Sequence, residues 1–239
     1  MRPVQVLALL MVLGLSPARL GACTLWAAIG DVAGGGTLLS KNRDWRPDHR
    51  QSLKVVHPSQ GLAYCGLFAE DGEDPGLKAG VNEKGLSIVS ASTNVPKQAK
   101  DHQPGKHGVM AQILADYATV EALAADADAV FSRARTSFYM VSDRKQVLLV
   151  EVGLEGRFSA RLVASGTAAH TNHFLDPGLA VACSGRIGDS SARRLARVQE
   201  LLGQSRRPFD LARFITISRD RNDGPDNSLW RSGKEWTLA

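Results

Sequence analysis

The chain carries three cysteines, Cys23, Cys65 and Cys183, and the first stands where it can do the most chemistry. Arg2 opens a segment in which Val4 to Leu15 form an apolar run, followed by the small residues Ser16, Ala18, Gly21 and Ala22. That is the layout of a secretory signal: positive at its start, too short to span a bilayer as a stable helix, and small at its end. Residues 1–22 are therefore expected to be removed, leaving Cys23 as residue one of an exported, periplasmic or extracellular chain. An odd cysteine in an oxidising compartment is a candidate reactive thiol. A cysteine at position one also owns an α-amine, whose ordinary pKa of about 7.7–8.0 suits a general base. Nucleophile and base then share one residue, and no separate catalytic histidine is needed.

Other chemistry is less well furnished. A Cys–His pair is the runner-up, with His170 or His173 as the base. Those two histidines are three apart, but no third ligand of sensible spacing accompanies them, so neither a metal nor another cofactor is expected. Gly34-Gly35-Gly36 lacks the residues of a phosphate loop and reads as a hairpin turn. Leu20-Gly21-Ala22-Cys23 also has the form of a lipobox. Lipid on Cys23 would occupy the sulfur and usually the amine, making a membrane-tethered binding protein in place of an enzyme. A cut after Ala18, with later loss of residues 19–22, is a third route to the same first residue.

With those features in place, four blocks in order resemble the N-terminal-nucleophile (Ntn) hydrolases. They are Cys23-Thr24-Leu25, Lys41-Asn42-Arg43-Asp44-Trp45, Gly80-Val81-Asn82-Glu83-Lys84-Gly85-Leu86 and Thr171-Asn172-His173-Phe174. The branch most similar is that of the penicillin acyltransferase-like peptidases (peptidase C45), related to the choloylglycine hydrolases. The resemblance implies a four-layer αββα sandwich of two antiparallel sheets and an amidohydrolase or acyltransferase working through a thioester on Cys23. It implies that Asp44 orients the nucleophile's amine and that Asn172 donates to the oxyanion. Lys41 falls where choloylglycine hydrolases have an arginine beside the nucleophile, with Arg43 near enough to substitute. Ser92 stands where they have an asparagine that donates to the oxyanion; all three are expected on the substrate side. A small acyl amide is the implied partner. The resemblance also implies strands beyond the Asn227 to Trp230 region, which this chain, ending at Ala239, is expected to lack in part.

The elements that must position these residues follow from periodicity. Thr24–Ile29, Thr37–Lys41, Leu53–His57, Leu62–Leu67 and Gly85–Ser90 read as strands, and 94–108 as a loop. Helices are expected over Val109–Tyr117 and, after a Thr119 cap, Val120–Phe131. Ser137–Val141 and Gln146–Val152 make a hairpin that Phe158–Val163 extends. Ser190–Leu202 is a further helix, and Asp210 is expected to cap another running to about Ile217. Strands, helices, strands, helices is an α+β order. On the late helix Arg194 shares the apolar face of Val198 and Leu201, whereas Arg193 shares the wet face of Arg197 and Glu200. Arg194 is thus the arginine expected to support the site, a snorkelling side chain being the alternative.

Composition bounds the rest. The 239 residues are 44% apolar, with 29 Lys plus Arg against 24 Asp plus Glu. Arg2 and Arg19 belong to the leader, which leaves 27 against 24, too even for a nucleic-acid partner and without a basic patch. No other stretch approaches 18 apolar residues, so no membrane span is expected. Residues 23–239 are expected to form one domain.

Overall fold

Cys23–Gly30 is apolar at six of its first seven side chains, as a strand covered on both faces must be, and it forms the buried strand β1. The computed structural model describes residues 22–70, 75–102, 105–183 and 187–238. The expected leader lies outside them, Ala22 excepted. Gly34 and Gly35, at φ 70° and 93°, turn β1 into β2 (Gly36–Trp45), where L side chains would be strained. Five more strands follow: β3 (Gln51–Val56), β4 (Tyr64–Ala69), β5 (Gly76–Asn82) and β6 (Ser87–Ala91), then, after four helices, β7 (Ser137–Ser142). The helices are α1 (Lys97–His102), α2 (Val109–Asp116), α3 (Val120–Ala125) and α4 (Ala127–Phe131). The chain continues through β8 (Val147–Val152), β9 (Phe158–Val163), β10 (Gly166–His170), α5 (Pro177–Ala182), α6 (Asp189–Gln204), α7 (Leu211–Ser218), α8 (Gly224–Asn227) and β11 (Trp236–Thr237).

Two antiparallel sheets result. One has the order β10-β1-β2-β11; the other is the seven-stranded meander β3 to β9. Alternation along the strands then sorts the core into three layers of contact. Leu25, Ala27 and Ile29 point between the sheets against Val89, Met140 and Leu149. Trp26 and Ala28 point the other way, onto Val198 and Leu202 of α6 and Phe214 of α7. Ile88, Tyr139 and Leu148 leave the second sheet on its far side, under Ile113, Leu123 and Phe131 of α2 to α4. The architecture is the αββα sandwich. Among the described residues no helix is long and apolar enough to cross a membrane.

Thr119 and Asp210 cap α3 and α7 through their side-chain oxygens. The helix expected over Val120–Phe131 is broken in two at Asp126, whose ψ of 14° leaves the helical region. Helix α1 occupies part of the expected 94–108 loop. Two strands carry no sequence signal of their own. In β5, Gly80 sits so close to α2 that a Cβ would lie 2.6 Å from Leu114 Cδ1, so packing demands glycine where strand propensity does not. In β10 the small residues Gly166, Thr167, Ala168 and Ala169 pack against β1 and show no polar and apolar alternation.

Candidate active site

Cys23 begins β1, and antiparallel pairing sets it opposite Arg43 and Leu25 opposite Lys41. Directly opposed residues share a face, so both cations lie on the Cys23 side of the sheet. A cavity of about 40 Å³ opens there, lined by Cys23, Lys41, Arg43, Asp44, Trp45, Lys78, Ser90 and Ser92. It has room for about two or three waters. Lys41 Nζ donates to the Lys78 carbonyl at 2.9 Å, and the Arg43 guanidinium lies 5.6 Å from the Trp45 ring centre.

Asn172 closes the site from the loop after β10. Its Oδ1 accepts the Cys23 backbone N–H at 3.0 Å and an Arg194 N–H at 2.8 Å, while Nδ2 donates to the Ser92 carbonyl at 2.9 Å. Arg194 is fully buried on α6, and its Nη1 donates to the Cys23 carbonyl at 2.7 Å and to Thr24 Oγ1 at 2.8 Å. Arg193 instead reaches Asp223 at the surface, so the periodicity argument picks the inward arginine. Burial pulls the Arg194 pKa below its ordinary value, against the opposing pull of Asp44. All seven residues singled out in the sequence, Cys23, Lys41, Arg43, Asp44, Ser92, Asn172 and Arg194, therefore meet at one place.

Asp44 is the last residue but one of β2 and is fully buried. Its Oδ1 accepts from Thr237 Oγ1 at 2.7 Å, its Oδ2 has no hydrogen-bond partner, and Arg231 stands 3.8 Å from Oδ2. Burial raises its pKa from 3.8 to about 7, although Arg194, the Thr237 hydroxyl and Arg231 all pull it down. The backbone N–H of Asp44 meanwhile holds the Ala22 carbonyl at 2.9 Å. Asp44 is thus tied through its backbone to the residue whose removal would free the Cys23 amine, and it lines the same cavity as Cys23.

The loop carrying Asn172 is fixed from two sides. Ser191, in the first turn of α6, accepts the Asn172 N–H at 3.0 Å and lies 2.8 Å from His173 Nδ1. Glu151 on β8 bonds His170 Nε2 at 2.7 Å and accepts the N–H groups of Leu175 and Asp176 at 2.8 and 2.9 Å, joining the two sheets beneath the loop. Burial works to raise the Glu151 pKa, but the His170 bond and charge and the two backbone donors hold it below 4.5. Glu151 therefore contributes stability fully above pH 4.5 and loses it as pH falls through the lower folded-state value.

The two histidines of the Cys–His alternative are held by other groups, His170 Nε2 by Glu151 and His173 Nδ1 by Ser191, and neither is among the residues lining the Cys23 cavity. Burial also lowers the His173 pKa, with the charges of His170 and Arg194 adding to it. Among the described residues no three His, Cys, Asp or Glu side chains converge as a metal site. Cys65 and Cys183 are both free thiols. Asn82 shapes the turn into β6, its Oδ1 accepting from Lys84 and Leu86 backbone N–H groups.

Sequence reasoning missed Glu151, Ser191, Arg231, Glu235 and Thr237. A lone carboxylate within the apolar run Val147 to Val152 was a usable signal for the first. The last three have none, since only the fold brings them beside β2.

The sequence model of the acyl-coenzyme A:6-aminopenicillanic acid acyl-transferase family matches residues 32–239. The chain belongs to that family. The match takes in every candidate site residue except Cys23. Among solved structures, a cysteine-to-alanine mutant of conjugated bile acid hydrolase from Clostridium perfringens superposes with a TM-score of 0.58 at 16% identity, over 90% of this chain and 84% of that one. An arginine-to-leucine variant of the same hydrolase gives 0.56 at 16% identity, over 90% and 83%. Those similarities establish a shared Ntn-hydrolase fold. A search of the curated proteins by sequence gives no match.

Proposed function

We propose that this protein is an exported N-terminal-nucleophile cysteine amidohydrolase or acyltransferase, acting on a linear acyl amide once residues 1–22 are removed. One observation carries the reading. The Cys23 nitrogen rests on Asn172 Oδ1 at the wall of a cavity, with Arg194 fastened to both residues and an Asp44 oxygen that has no hydrogen-bond partner in the same cluster. The family's name describes moving an acyl group onto an amine, and that of the solved structures describes hydrolysing a conjugated acid. Both are acyl transfer.

In this reading the free α-amine takes the thiol proton and Sγ attacks the acyl carbon. Negative charge collects on the acyl oxygen, where Asn172 Nδ2, on the Ser92 side of the cavity, and a backbone N–H stabilise it. The proton then passes from the amine to the leaving nitrogen, the C–N bond breaks, and a thioester remains on Cys23. Water gives hydrolysis; a second amine gives transfer. Asp44 holds the ammonium form in place, and the nearby ammonium in turn favours the Asp44 carboxylate. Lys41 and Arg43 line the cavity and face the substrate.

Asn172→Asp separates the two jobs of that side chain. It keeps an acceptor for Cys23 and Arg194 but loses the donor, so kcat on an acyl p-nitroanilide is expected to fall about 10²–10³-fold in a protein that is still folded, with a lower melting temperature from the lost bond to the Ser92 carbonyl. Turnover within threefold of wild type would rule out Asn172 as the oxyanion donor.

A further inference from the structure

The segment after α8 folds back over the end of β2 and places a second acid beside the nucleophile. Glu235 Oε2 accepts the Ala22 N–H at 3.2 Å and is bonded to Arg231 Nη1. Glu235 and Arg231 are both buried, and Arg231 also approaches Asp44 Oδ2 and Asp226 Oδ1, each at 3.8 Å. Thr237, on β11, pairs with Asp44 across the ladder, and Leu238 N–H donates to the Arg43 carbonyl at 2.8 Å. The C-terminal strap is therefore built into the same cluster as Cys23, and its acid already holds a main-chain nitrogen one residue away from the Cys23 nitrogen.

Before processing, the buried cluster contains Asp44 and Glu235 against Arg194 and Arg231. Removal of Ala22 takes the N–H donor from Glu235 and turns the single N–H of Cys23 into an ammonium with three donors, of which Asn172 Oδ1 already receives one. Asp44 Oδ2, which has no hydrogen-bond partner, is a second acceptor. The strap offers the third.

We infer that Glu235, braced by Arg231, is a positioning residue for the α-amine of Cys23, working with Asp44 as a pair of acids that hold the ammonium form and set the pH at which it becomes a base. The inference rests on the N-terminal-nucleophile reading above. Arg194 from α6, Lys78 from β5, and Lys41 and Arg43 from β2 face the same residue with positive charge, so the pair of acids opposes a cationic surround. Removing one acid weakens the hold on the ammonium, so the amine must lose its proton at lower pH.

The test uses mature full-length protein labelled with ¹³C,¹⁵N-cysteine, in which the Cys23 α-carbon reports the state of its own amine by NMR. Glu235→Gln is expected to lower the amine pKa by about one unit, a tenfold gain in free amine below it, and to move the acid limb of kcat/KM on an acyl p-nitroanilide by the same amount. Glu235→Asp restores part of the shift, and Arg231→Gln moves the pKa upward. Those last two variants carry the test if Glu235→Gln does not fold. A Cys23 amine that titrates identically whatever stands at 235 overturns the inference alone. Absence of any titrating amine on Cys23 overturns it together with the reading it rests on.

Discussion

Cys23→Ala is expected to leave a folded protein with no measurable turnover of an acyl p-nitroanilide. The variant deletes one sulfur at the wall of the cavity. Every main-chain contact of the residue survives: the nitrogen on Asn172, the carbonyl on Arg194 and the ladder to Arg43. Loss of a nucleophile from a preorganised acyl-transfer site lowers kcat on the order of 10⁴–10⁶-fold, leaving the residue of catalysis that binding and the oxyanion donors supply. Circular dichroism separates this outcome from unfolding. Turnover retained by the alanine variant would mean that acyl transfer runs through another group, and neither Cys65 nor Cys183 is among the residues lining the Cys23 cavity.

The second large effect lies at Arg194, and there it is structural as well as functional. The guanidinium donates to the Cys23 carbonyl, Thr24 Oγ1 and Asn172 Oδ1, and α6 holds it where water does not reach. Arg194→Met keeps the stem and removes those three bonds together with a longer one from Nε to Ser190 Oγ. It leaves three buried acceptors short of a donor and Asp44 short of a compensating charge, a combination that costs about 3–5 kcal/mol. Urea denaturation should show that loss directly as a lower midpoint at unchanged slope. Arg193→Met, one residue away, removes only a surface pair with Asp223 and should change stability by less than about 1 kcal/mol. Equal effects of the two substitutions would contradict the inward role given to Arg194.

That contrast also shows what could be read from the chain before its fold was known. Helical periodicity separated Arg194 from Arg193 because α6 is long enough, at 16 residues, for one face to declare itself. The caps at Thr119 and Asp210 were legible because a side-chain oxygen near a helix start has a local job. The order of elements pointed to α+β, and the ordered motifs pointed to the αββα sandwich. What escaped was whatever depends on a distant neighbour. Strand β5 is written in glycines because α2 presses on it, and β10 in small residues because β1 lies alongside. Glu151 reads as an intruder in an apolar strand until His170 and the Asn172 loop arrive from the other sheet. Arg231, Glu235 and Thr237 are nearly two hundred positions from Asp44, and no local pattern announces a meeting set by strand pairing. The sequence named Asp44 as a polar group of the site; burial, which lifts its pKa to about 7, is a property of the assembled layers alone.

The proposed chemistry needs Cys23 to carry its thiol and a free amine at the same time, and the mass of the exported protein, with that of its first proteolytic peptide, measures this directly. The expected result is a chain beginning at Cys23 with neither group modified, whose first peptide gains one acyl mass after a brief exposure to an acyl p-nitroanilide and an acid quench. A chain that begins at another residue, or one whose Cys23 carries lipid, would contradict it.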